Sequence, residues 1–159
     1  MKKAFTMIEL VFVIVILGVL ASIAVSKMAV TRDDAMIVKG KAQVSAIRSA
    51  IVLQKSKNMM RGLANGGNPT TLDALGSTTS SDGDKLFDYD TNASDSAKKL
   101  LDYPVYSKDA NGHWRKTAAN EYTLKVVNTD IVFTYNSGSF DCNRSAADPV
   151  GKYCKALSE

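Results

Sequence analysis

The chain opens on one long apolar block and closes on short alternating ones, and this change of period divides it into unlike parts. From Phe5 to Val25 it reads FTMIELVFVIVILGVLASIAV, with Glu9 the single ionisable side chain. A helix over that stretch spans roughly 30 Å, enough to cross the hydrocarbon core of a bilayer. Lys2 and Lys3 precede it, so the positive charge holds the N-terminus in the cytoplasm and sends the residues after Val25 across. From Lys27 to Leu63 there is no proline, and Val30, Ile37, Val44 and Ile51 recur every seven residues with Ile47 beside them. Lys39, Lys41, Arg48, Lys55 and Lys57 fall largely off that stripe. The pattern predicts one helix from about Thr6 to Ala64, whose second half lays an apolar face on a sheet. A coiled coil is disfavoured because Asp33 and Gly40 interrupt the second seam. Asn65-Gly66-Gly67 is the expected left-handed stop.

After the stop the pattern turns polar. Asn68 and Pro69 predict a short helix over Thr70 to Leu75, Ser77 to Gly83 reads as a loop, and Asp95 caps a second short helix through Leu101 that Tyr103-Pro104 ends. Strands follow. Pro104 to Ser107 and His113 to Thr117 flank the turn signal Asp109-Ala110-Asn111-Gly112. Tyr122, Leu124 and Val126 alternate with polar residues, and Ile131, Phe133 and Tyr135 do so again beyond Asn128-Thr129. The expected fold is α+β, with a four-stranded antiparallel sheet packed on the long helix. Trp114 is expected as a packing residue and His113 as a surface strand residue rather than a metal ligand. Asn143 to Tyr153 shows no obvious strand.

Composition narrows the function. Of 159 residues 45% are hydrophobic and 23% charged, as in ordinary globular proteins. The net charge of +4 includes Lys2 and Lys3, so it does not by itself suggest a nucleic-acid footprint. One histidine, two cysteines, and no GxSxG, P-loop or GxGxxG pattern point to a non-enzyme with no cofactor and no catalytic or metal site. Cys142 and Cys154 both lie in the exported part, where an oxidising compartment favours pairing them. The bridge would close a loop of about a dozen residues and contribute roughly 3 kcal/mol on the chain-entropy account.

Three readings compete for the apolar block. A secretory signal has a shorter apolar region, although Ser22 and Ala24 imitate its cleavage site. A plain membrane anchor fits the length but leaves Glu9 without a use, and a carboxylate within the membrane is costly and marks a functional site. The third reading accounts for both Glu9 and the basic leader. Ala4-Phe5-Thr6-Met7-Ile8-Glu9-Leu10-Val11 resembles the N-terminal cleavage and methylation motif of type IV pilins and type II secretion pseudopilins. The resemblance implies that a prepilin peptidase cuts between Ala4 and Phe5 and methylates the new amino group. It also implies that Glu9 pairs with the N-terminus of a neighbouring subunit during assembly; an ammonium and a carboxylate placed together in lipid lower each other's cost. Gly18 stands where the family usually has glycine. Ala4 replaces the usual glycine before the cut, and Ser26 replaces a frequent proline, which predicts a straighter helix there.

The implied organisation is a leader at 1–4, a transmembrane and assembly segment at 5–25, and an exported pilin-like globular domain at 26–159. The implied role is a structural subunit of a type II secretion pseudopilus or of the related DNA-uptake machine. It would sit in the bacterial inner membrane with its C-terminal domain in the periplasm and enter a periplasm-spanning fibre. Its partners would be copies of itself, other pseudopilins, the peptidase and the inner-membrane assembly platform. A surface pilus subunit with adhesive function shares these features. A DNA-binding subunit at a fibre tip is a third reading, for which Lys108, Arg115, Lys116 and Lys125 with Trp114 and Tyr122 would supply a basic, aromatic face. The Cys142–Cys154 loop resembles the disulfide-closed C-terminal loop of many pilins. Asp88-Tyr89-Asp90-Thr91-Asn92 alternates oxygen ligands as a calcium loop begins, but Ala93 and Lys99 stand where glycine and an acid are needed. Asp90 to Ser94 and Asp141 to Ser145 both read D-x-N-x-S, which resembles the acidic acceptor sequon of bacterial N-glycosylation and marks Asn92 and Asn143.

Overall fold

The computed structural model describes residues 6–76, 78–88 and 100–159. The chain divides into two compact units, Met1–Ala35 and Met36–Glu159. Helix α1, Met7–Met60, contributes residues to both. In the first unit it begins at Thr6, whose Oγ1 and backbone oxygen both accept the Glu9 amide at 3.4 and 3.1 Å. Thr-x-x-Glu is the sequence of a capping box, in which the hydroxyl satisfies one of the orphan amides of the first turn. Within this unit Met7–Ala24 has a mean hydropathy of 2.8 and is long and apolar enough to cross a membrane.

In the second unit the predicted stripe is the part of α1 that enters the core. Val44, Ile47 and Ile51 are enclosed and Ile37 packs at the edge, while Val30 lies outside the described side chains. The helix stops earlier than the Asn65 signal suggested. Gly62 adopts a left-handed φ of 68° and the Leu63 amide reaches back to the Asn58 oxygen at 3.1 Å, which closes the last turn. Asn65–Gly67 forms a separate 3-10 turn. The short helix expected over Thr70 to Leu75 is a turn instead, because the Asp73 carboxylate accepts the Leu75 amide at 2.8 Å and so competes with helical bonding. The helix expected from Asp95 falls largely outside the described residues.

The sheet is a four-stranded antiparallel meander: β3 Trp114–Ala118, β4 Glu121–Val126, β5 Thr129–Asn136 and β6 Ser139–Cys142, in the order β3-β4-β5-β6. The strand count agrees with the sequence reading, but one member differs. Pro104 to Ser107 contributes only Val105–Tyr106 (β2), which pairs with Lys85–Leu86 (β1) in a separate ribbon. Its place is taken by β6, joined to β5 through Ser137 and Gly138, both at positive φ. The turn between β4 and β5 is Val127-Asn128, at φ 47° and 59°, one residue before the expected pair. Tyr122 faces Phe133 and Leu124 faces Ile131 across that hairpin. These residues with Trp114 and Phe140 form the aromatic and aliphatic core. A nine-residue helix, α2 Val150–Ser158, follows and packs on β5 and β6 through Cys154 and Leu157. The architecture is α+β, consistent with a pilin-like fold.

Candidate functional site

Two surfaces carry the chemistry read from the sequence, one in each unit. The first is the apolar helix. Ala4 and Phe5 lie outside the described residues. Glu9 stands in the first turn of α1 and is exposed, as are Met7, Ile8, Leu10 and Phe12 around it. Every residue from Met7 to Ala24 is exposed in the isolated chain. An apolar cylinder of this kind gains free energy only by entering lipid or by packing on other helices.

The second surface is the C-terminal loop. Cys142 at the end of β6 and Cys154 in α2 are joined by a disulfide with a Cα–Cα distance of 5.9 Å, an ordinary span for a bridge. Arg48 of α1 fastens the same region. Its guanidinium donates to the Phe140 oxygen at 3.0 Å, the Ser158 oxygen at 3.2 Å and the Asp141 carboxylate at 2.6 Å. Helix, last strand and chain end are thus tied through one planar fork. Asn143 is exposed just beyond the bridge. Asn92 lies outside the described residues. So does most of the oxygen-rich stretch after Asp88, and among the described residues no group of three or more His, Cys, Asp or Glu gathers as metal ligands would. His113 precedes β3 and its Nδ1 lies 3.1 Å from the Asn111 oxygen.

The basic, aromatic face is not presented as the sequence suggested. Trp114, Lys116 and Tyr122 are fully enclosed, and Trp114 donates its indole N–H to Gln43 Oε1 at 3.0 Å. Arg115 and Lys125 both pair with Asp109. The Lys125 ammonium holds the Asp109 carboxyl below its ordinary range, and Asp109 in turn raises Lys125. The physical reason is the pleat: residues two apart on a strand share a face, so Lys116 follows Trp114 inward. Stacking on bases needs exposed rings, and these two rings are covered.

Sequence reasoning missed what Lys116 does inside. Its Nζ donates to Asp73 Oδ1 at 2.8 Å and to the Gly76 oxygen at 2.5 Å, and the Tyr122 hydroxyl donates to Asp73 Oδ2 at 2.5 Å. Both ionised side chains are 0% exposed. Burial, and then the adjacent Asp73 charge, push the Tyr122 hydroxyl far above its ordinary value. The cluster has the satisfied hydrogen bonding that a buried pair requires, and it fastens the segment after α1 to β3 and β4. A cleft of about 660 Å³ lies elsewhere in this unit, lined by Lys39, Gln43, Tyr103, Tyr106, His113 and Trp114 among others. None of the residues expected for processing, assembly or modification lines it.

Residues 1–25 match the family described as the prokaryotic N-terminal methylation motif. This is the prepilin-type cleavage and methylation signature of type IV pilin-like proteins. No curated protein and no solved structure matches the chain. Such a signature supports a pilin-like reading and implies processing by prepilin peptidase and assembly with other pilins.

Proposed function

We propose that the chain is a structural subunit of a periplasmic pseudopilus, of the kind that drives type II secretion or DNA uptake. Its work is mechanical: subunits leave the inner membrane through their apolar helices and stack into a short fibre that carries the second unit outward. Cleavage between Ala4 and Phe5 frees an amino group four residues before Glu9. The observation that carries the reading is the lone carboxylate of Glu9 on a wholly exposed apolar helix, inside the matched signature. Among the described residues Glu9 forms no ion pair, and in an apolar bundle the Phe5 ammonium of a neighbour supplies the partner. The covered faces of Trp114 and Tyr122 weigh against the DNA-binding tip subunit. A surface pilus subunit would share the N-terminal features, and fibre length separates the two, since a pilus is visible outside the cell.

The direct test is the mass of the mature N-terminus. Protein extracted from membranes should begin at a methylated Phe5. An intact Met1, or any other N-terminus, would sink the reading.

A further inference from the structure

The segment just past the disulfide holds a side chain that neither assembly nor packing uses. Asn143-Arg144-Ser145 is an N-x-S triplet whose middle residue is not proline, the minimal acceptor for N-glycosylation in an exported protein. It is the second of two D-x-N-x-S stretches, and the one the structure describes. Asn143 is the first residue after β6, and Asn143, Arg144 and Ser145 are all exposed. The Asn143 Oδ1 accepts the Ser145 amide at 3.0 Å, and its backbone oxygen accepts the Ala146 amide at 3.3 Å. The turn therefore folds Ser145 back beside Asn143 and commits the side-chain oxygen, while Nδ2 takes no hydrogen bond among the described residues. Asp141 supplies the acid two residues earlier. Its side chain is 53% exposed, with one oxygen on Arg48 and the other on the Ser139 hydroxyl. With Arg48 holding one of its oxygens, the half-exposed Asp141 carboxylate is fixed beside the turn and open to solvent, where a cation of the transferase can reach it. The disulfide at Cys142 keeps the base of the turn against α2.

We propose that Asn143 is an N-glycosylation acceptor, read through Asp141 and Ser145 by a transferase that uses a lipid-pyrophosphate-linked oligosaccharide. In the transfer, Nδ2 bonds to the anomeric carbon of the first sugar as that carbon's bond to the pyrophosphate oxygen breaks. The amide gives up one proton to a carboxylate base of the transferase, and the lipid pyrophosphate leaves with the electron pair of the broken C–O bond. The lone pair of an amide nitrogen is delocalised into its carbonyl, so the transferase supplies the activation and this chain supplies the acceptor and its recognition.

The test is peptide mass spectrometry on full-length protein from the membranes of its own host. The peptide carrying Asn143 should bear an added oligosaccharide mass with sugar fragment ions. That mass should vanish in N143Q and S145A, persist in S145T, and fall at least tenfold in occupancy in D141N. A bare Asn143 peptide in the wild-type protein overturns the proposal, as does the same added mass surviving in N143Q. Wild-type occupancy in D141N overturns the part assigned to Asp141.

Discussion

Along Met7–Ala24 the apolar side chains lie open in the isolated chain, Phe12 at 65% and Leu17 at 58%, whereas in the second unit Ile47 and Phe133 are fully covered. The same hydrophobic effect has two answers here. The second unit satisfies itself, since the α1 stripe, the meander and α2 close around one aromatic cluster in which Phe133 and Phe140 stack at 5.2 Å. The first unit cannot, because a single helix has no second layer to cover it. Its polar residues differ accordingly. Glu9 is a lone charge on an apolar surface, while Asp73 and Lys116 are charges fully enclosed with their partners supplied by the same chain. An unsatisfied surface calls for a partner; a satisfied one serves stability.

The largest effect should come from the unsatisfied side. Glu9→Ala leaves the segment around Ala4 and Phe5 unchanged and lies outside the second unit, so processing and the soluble fold should survive. Removing the carboxylate eases membrane residence by about 2 kcal/mol on insertion scales, so a mature, membrane-retained monomer should accumulate. The neighbour's ammonium would then be left unpaired in an apolar bundle at about 3–5 kcal/mol. Subunit crosslinks in cells should fall on the order of 100-fold or more at equal expression. Wild-type crosslinking would show that Glu9 is no docking residue and would erase the contrast drawn above.

On the satisfied side, Asp73→Ala strands the Lys116 ammonium and the Tyr122 hydroxyl in the core. The loss in unfolding free energy should be about 3–5 kcal/mol, read by urea denaturation of the full chain in detergent. The triple variant D73L/K116M/Y122F removes all three polar groups together and should recover most of that loss, since fully apolar replacements of buried pairs are often neutral. A triple variant as unstable as the single one would mean that the cluster acts by anchoring the segment rather than by satisfying charges.

The two regions were not equally legible in the sequence. The first unit is a local pattern, with a basic leader, an apolar run and one glutamate inside a window of about 25 residues, and nothing distant bears on it. The Thr6 to Glu9 capping contact in it went unread, although the spacing was present. In the second unit β4 and β5 were legible because Tyr122, Leu124 and Val126, then Ile131, Phe133 and Tyr135, alternate inward. Strand β6 offers a single inward residue, Phe140, too little for a period. Helix α2 repeats Val150, Cys154 and Leu157 over nine residues, short enough to pass for loop. Lys116 was misread because its partner Asp73 stands 43 positions away. No local rule connects them, though the pleat alone would have put Lys116 on the face of Trp114.

The smallest effect should come from the charges that belong to neither class, the exposed group of Asp109, Arg115 and Lys125. Asp109 is held below its ordinary carboxyl range, first by the hydrogen bond from Lys125 and then by its charge. A group with a depressed folded pKa contributes stability that is present above its unfolded value, about 3.9, and lost as pH falls through the folded value. Lys125 is raised by the same hydrogen bond, so its share is present below its unfolded value, about 10.4, and lost as pH rises through the folded one. Asp109→Asn should therefore lower the melting temperature only slightly near neutrality. The gap to wild type should close as pH falls through the lowered Asp109 value and narrow as it rises through the raised Lys125 value, where the Arg115 pair alone remains. High salt should close it as well, because screening acts on exposed pairs first. A gap that persists in acid and in about 1 M salt would mean that the Asp109 side chain acts by the shape and hydrogen bonding of its place between Arg115 and Lys125 rather than by its charge, since Asp109→Asn keeps the backbone amide that donates to the Asp82 carboxylate at 3.0 Å.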